Sequence, residues 1–167
     1  MSSLFKRFTP MSPSAPKYVY KILPHPSVDS RFTFPVPLPP SHEFLTELDL
    51  NDRFIHLSAA VQIPTTLNLF FKDDPAVTLL RIETERLAAW KKVEWCLPDQ
   101  TPRTGDMPYL CAHAWPVPLE GEYVESFRKV HRNGDGAKTS GEKGSDSSGS
   151  AGWEESLEGK DIKGWLV

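Results

Sequence analysis

The sequence predicts an α+β domain of five or six short strands with one or two helices, and three observations carry that prediction. Sixteen prolines in 167 residues, about twice the usual share, interrupt helices too often for a helical bundle and demand loops and extended chain. Between them recur short runs of β-branched and aromatic residues bounded by turn formers. Apolar residues make up 39% of the chain, enough for one core, and the length allows one compact domain.

Residues 1–17 form a basic leader, with Lys6, Arg7 and Lys17, no acid, and prolines at 10, 13 and 16. Leu4, Phe5 and Phe8 give it the flavour of a mitochondrial transit peptide, but Pro10 ends any amphipathic helix after about two turns. Two readings stay open, a targeting segment and a plain disordered leader. The globular domain spans 18–131. Tyr18-Val19-Tyr20-Lys21-Ile22-Leu23 is rich in β-formers and stops at Pro24, which predicts a first strand. After a proline-laden loop, Ser41 is positioned to cap a short helix over 41–48, and residues 49–52 make a turn into a strand over 53–57. Pro64 in a first turn, followed by Thr65-Thr66-Leu67-Asn68-Leu69-Phe70-Phe71, predicts a second helix. Val77-Thr78-Leu79-Leu80-Arg81-Ile82-Glu83 is the strongest strand by composition, and 91–97, 109–114 and 123–130 are further strands. Trp90 and Trp95 are expected in the core.

Residues 132–152 hold six of the ten glycines and five serines, with no apolar side chain larger than alanine. Such a stretch cannot bury enough surface to offset the entropy of ordering it, and it reads as a flexible linker. Residues 153–167 turn apolar again, with Trp153, Leu157, Ile162, Trp165, Leu166 and Val167. This reads as a tethered docking segment, for the domain or for a protein partner, because free tryptophans in water are a liability.

A net charge of −3 gives no global basic field, which argues against non-specific DNA binding. No apolar run approaches the ~18 to 20 residues that span a bilayer. A soluble protein is expected, cytoplasmic unless the leader is a mitochondrial signal. Cys96 and Cys111 are too few for a disulfide framework. With His113 they offer three potential zinc ligands, but without closely spaced ligand pairs no metal site is assigned. Gly134-Asp135-Gly136-Ala137-Lys138-Thr139 echoes a phosphate loop with the wrong spacing, inside the linker.

The informative segment is Phe54-Ile55-His56-Leu57-Ser58. On a strand, Ile55 and Leu57 point into a core while Phe54, His56 and Ser58 share the other face. There an imidazole and a hydroxyl stand side by side. They make either a hydrogen-bonding pair for a ligand or a structural histidine beside a serine that caps the next turn.

Tyr20-Lys21-Ile22, then Leu48-Asp49-Leu50-Asn51-Asp52-Arg53 leading into that segment, then Gln62, Thr66, Phe70-Phe71 and Leu79-Leu80-Arg81-Ile82-Glu83, resemble the family catalogued as domain of unknown function 952. The resemblance runs from Tyr18 to about Val130 and is densest in its first half. Three positions depart: Arg53 replaces a glycine, Cys96 replaces the Glu of a Trp-Glu pair, and Met107-Pro108-Tyr109-Leu110-Cys111-Ala112 replaces F-P-H-L-Y-G.

This resemblance implies a fold in the ADP-ribosyltransferase clan, with two small sheets in a split arrangement around a nicotinamide-nucleotide cleft. The Phe-Ile-His-Leu-Ser strand is also similar to the H-V-H-L-S strand of RNA 2′-phosphotransferases in that clan. It implies that His56 bonds a ribose, Ser58 supports it, and Tyr109 stacks on or bonds a base. Lys21 and Arg81 are expected either to meet a phosphate or, as single basic residues on strands, simply to be exposed. Glu94, two residues before Cys96, is the candidate catalytic carboxylate for stabilising positive charge at the ribosyl carbon, provided no bulge intervenes; otherwise it is a solvated charge. The expected ligand is an NAD-related nucleotide or ADP-ribosyl group, with NAD as a substrate rather than a resident cofactor and an RNA end as a weaker candidate. The alternative is an inactive member serving as a binding or scaffolding module.

Overall fold

In the computed structural model, residues 15–96, 111–132 and 152–167 are described. The basic leader apart from its last three residues, and the Gly/Ser stretch apart from its two ends, lie outside the described residues. The fold is mixed α+β, made of small antiparallel sheets and a few short helices.

Strands β1 (Tyr18–Pro24), β4 (Ala76–Glu83) and β8 (Val124–His131) form one three-stranded sheet with β4 in the centre. Residues 76–80 are all buried, because both faces of the central strand are covered. Leu80 and Ile82 meet Val19 and Leu23 in one core, whereas Val77 and Leu79 meet Tyr20 and Ile22 in a second core on the opposite face. A second sheet runs in the order β3 (Ile55–Leu57), β6 (Cys111–Trp115), β5 (Lys92–Cys96). Strands β2 (Glu43–Phe44) and β7 (Leu119–Glu120) make a small ribbon. Among the described residues one backbone bridge links the two larger sheets, where Tyr20 N–H donates to Ser58 O at 2.8 Å and Ser58 N–H donates to Tyr20 O at 2.9 Å.

The helices differ most from expectation. Helix α1 is Glu47–Asp52, capped by Thr46, whose Oγ1 accepts from Asp49 N–H at 3.1 Å. Ser41 therefore caps nothing here, and residues 49–52 are helix rather than turn, because Thr46 with Glu47 and Asp49 in the first turn is the better start signal. The helix stops at Arg53, whose φ of 63° is left-handed; the resembled family has glycine at that position, the residue that adopts this conformation without strain. Helix α2 is Ile63–Phe70, with Pro64 in its first turn. Three more helices, α3 (Thr84–Trp90), α4 (Trp153–Leu157) and α5 (Lys160–Lys163), exceed the one or two expected. Trp90 ends α3 on the exposed side, 72% accessible, and is not a core residue, whereas Trp95 packs partly against the first core. Among the described residues no helix is long and apolar enough to cross a membrane.

Candidate functional site

Strand alternation sends Ile55 and Leu57 into the first core, together with Ala112, Ala114, Val93 and Trp95 from the neighbouring strands. The opposite face of the β3-β6-β5 sheet is polar and aromatic. There the register pairs His56 with His113 and His113 with Glu94, which aligns the three in one row across the sheet. The β5–β6 register runs unshifted from Lys92 to Cys96, so no bulge intervenes after Glu94. The next row pairs Lys92 with Trp115. Phe54 lies at its β3 end, stacked on the His113 ring with centroids 4.1 Å apart and 5.3 Å from Trp115.

His56 is clasped by helix α1. Asp49 and Asp52, three residues apart, share one side of that helix. Asp49 Oδ1 accepts from His56 N–H at 3.0 Å and from Nδ1 at 2.8 Å, and Asp52 Oδ2 lies 3.0 Å from Nε2. Below this clasp Lys21, 3% exposed, places Nζ 2.5 Å from Oδ2 of the fully buried Asp49 and 3.3 Å from His56 O. Burial drives the Lys21 ammonium toward lower pKa, against the attraction of Asp49. Burial would raise Asp49, but the bonds from His56 and the charge of Lys21 outweigh it and hold the carboxyl at about 2.

His113 stands in the opposite environment. It is 4% exposed and its Nδ1 is buried without a hydrogen-bond partner. Burial first, and the neighbouring His56 second, bring its pKa down to about 4, with Asp52 and Glu94 opposing. The row thus sets a carboxylate-clasped imidazole 5.6 Å from a neutral one, followed by a carboxylate. Such a surface can accept from paired hydroxyls through Asp52 and Glu94, and can face a developing positive charge.

Each candidate residue from the sequence has a definite place. His56 and Glu94 are brought together on one face, although Glu94 is occupied by Lys92 at 2.6 Å. Ser58 turns its hydroxyl toward Thr66 Oγ1 of α2, at 3.5 Å, and neither supports His56 nor caps the next turn, which starts at Ala59. Lys21 and Arg81 do not converge on a phosphate. Lys21 pairs across the sheet with Leu80, and Tyr20 with Arg81, so their side chains leave on opposite faces. Arg81 instead ion-pairs with Glu125 at 2.7 Å and donates to Trp165 O at 3.0 Å. Tyr109 lies outside the described residues, as do the side chains of Cys96 and Cys111. Asp49, Asp52, Phe54 and His113 were not assigned to the ligand site from sequence. The aspartates carried a signal, since the i, i+3 pair ends four residues before His56.

Residues 41–123 match the family model described as "Protein of unknown function (DUF952)", which supports that family for the segment carrying Asp49, Asp52, His56, Glu94 and His113. Among solved structures the chain is similar to protein CC0527 from Caulobacter crescentus, with 25% identity over 71% of this chain and 90% of that one and a TM-score of 0.51. A double mutant of the same protein matches equally, at 24% identity over the same shares and a TM-score of 0.51. No curated protein matches.

Proposed function

We propose that the polar face of the β3-β6-β5 sheet is the floor of a cleft that takes an NAD-related nucleotide or ADP-ribosyl group, in an ADP-ribosyltransferase-like fold. The observation that carries this reading is the row His56–His113–Glu94 across one sheet face, behind the Phe54-Ile55-His56-Leu57-Ser58 strand. Two small sheets joined by a backbone bridge at Tyr20 and Ser58 agree with the split arrangement the sequence resemblance implies. In this reading Asp49 and Lys21 fix His56 from behind, while Asp52, partly exposed, swings from Nε2 to accept a ribose hydroxyl. Glu94 leaves Lys92 to face the ribosyl carbon. Transfer breaks the bond from that carbon to the nicotinamide nitrogen, whose electron pair leaves with nicotinamide. An acceptor oxygen forms the new bond, and its proton passes to Glu94 or solvent.

A binding module without transfer is the second reading, favoured by the Lys92–Glu94 ion pair, which occupies the carboxylate. One panel separates them. NAD, ADP-ribose, nicotinamide mononucleotide and a 2′-phosphorylated RNA end are added to the full chain, and melting temperature and nicotinamide release are read. A ligand at one hundred times its Kd stabilises by about 2.7 kcal/mol. Stabilisation by NAD and ADP-ribose with nicotinamide release supports the transferase; stabilisation without release supports the binding module. A flat response across the panel removes the nucleotide reading.

A further inference from the structure

Residues 153–167 lie on the face of the β1-β4-β8 sheet opposite the first core, where Trp153, Leu157, Ile162 and Trp165 are buried against Tyr20 and Leu79. The attachment is polar as well as apolar. Trp153 Nε1 donates to Phe71 O at 3.1 Å, and Trp165 Nε1 donates to Ser126 Oγ at 2.8 Å. The guanidinium groups of Arg81 and Arg128 lie 5.2 and 5.4 Å from the Trp165 ring. Deepest is Tyr20, fully buried, with its ring edge-on to Trp165 at 5.4 Å. Its hydroxyl donates to Trp165 O at 3.1 Å and accepts the Val167 N–H at 3.0 Å.

Tyr20 also bridges the two larger sheets, by its pair of backbone bonds to Ser58. The next residue, Lys21, points to the other face of β1 and holds Asp49 and the His56 carbonyl. Two consecutive residues of one strand therefore carry the docked segment on one side and the candidate site on the other.

We infer that docking of residues 153–167 sets the position of β1 and through it the Lys21–Asp49–His56 network, so that the segment acts as a positioning brace for the site. Without the segment the Tyr20 hydroxyl loses its buried partners and Arg81 loses a carbonyl acceptor. The junction most exposed to that loss is the Tyr20–Ser58 bridge, because only two backbone bonds form it. Coupling of this kind is reciprocal: loosening the Lys21 end must loosen the docked segment by the same free energy. The inference stands on the site's geometry and holds whichever ligand the site takes.

Amide hydrogen exchange by NMR on the full chain tests it without any ligand. In Trp165→Ala, exchange at Tyr20, Ser58 and His56 is expected to rise by about tenfold or more, while amides paired between β5 and β6 keep their protection. Trp165→Phe keeps an aromatic ring but not the bond to Ser126, and gives a smaller rise at the same amides. If the alanine variant does not fold, the phenylalanine variant carries the comparison. Lys21→Met is expected to raise exchange at Leu166 and Val167 in return. Unchanged exchange at Ser58 and His56 in the folded Trp165 variants overturns the inference. A uniform rise that includes the β5–β6 amides overturns it as well, since it shows a contribution to global stability only.

Discussion

Removing Asp49 is expected to cost far more than removing the lysine it neutralises. Asp49→Ala leaves the Lys21 ammonium, 3% exposed, with only the His56 carbonyl at 3.3 Å, and strips His56 N–H and Nδ1 of their shared acceptor. Breaking a buried pair by deleting one partner costs about 3 to 5 kcal/mol, a large part of the roughly 5 to 15 kcal/mol that stabilises a domain. Lys21→Met is milder, because Asp49 keeps both bonds from His56 and the methionine fills the space of the lysine stem; about 1 to 3 kcal/mol is expected. Combining Lys21→Met with Asp49→Leu removes both charges and is expected to cost less than Asp49→Ala alone. Urea titration of the four proteins at neutral pH measures these differences. Acid adds a check on sign. The Asp49 carboxyl is depressed from its ordinary 3.8 to about 2, so its contribution is present above pH 4 and is lost as pH falls through 2, a slope that Asp49→Asn removes. A Lys21→Met variant as unstable as Asp49→Ala, or a double variant whose cost equals the sum, would refute the reasoning.

Further expectations follow from individual positions. His113 titrates near 4 instead of 6.5, so the stability it contributes is whole above pH 6.5 and declines as pH falls toward 4. His113→Leu is expected to flatten that part of a stability-versus-pH curve. Trp153→Ala, at a fully buried position, is expected to cost about 3 to 5 kcal/mol by urea titration, whereas Trp90→Ala, at a side chain 72% exposed, stays within about 0.5 kcal/mol. Arg53→Gly relieves a left-handed φ of 63° and is expected to raise stability by about 1 kcal/mol or less, the unfolded-state entropy of glycine offsetting part of the gain. A lower melting temperature for that variant would contradict the strain argument.

Much of the strand framework was legible because its signals are local. Pro24 ends β1 as expected, and the apolar run around Leu79 is the central strand, covered on both faces. His56 was legible for the same reason, since alternation needs only the chain on either side of it. What was not legible depends on register. Nothing local shows that Tyr20 faces Arg81 while Lys21 faces Leu80, so the sequence alone does not reveal that Lys21 and Arg81 lie on opposite sides of the sheet and cannot share one phosphate. His113 enters the row only through the pairing of β3 with β6 and of β6 with β5, strands separated by long stretches of sequence. Helix α1 was displaced for a different reason. The helix is capped by Thr46 rather than Ser41, which makes Asp49 the buried centre of the site instead of a turn residue. Residue type alone places Trp90 in a core, whereas the helix that carries it turns its side chain outward.

The central claim is that the His56–His113–Glu94 face binds a nucleotide, and chemical-shift mapping tests it most directly. The isotope-labelled 167-residue chain is titrated with ADP-ribose and with NAD, alongside His56→Ala. Saturable shifts are expected at the His56 and His113 rings and at Glu94, spreading to Asp52 and Phe54 and disappearing in the variant. Saturable shifts elsewhere with this face silent, or the same shifts surviving in His56→Ala, would contradict the account.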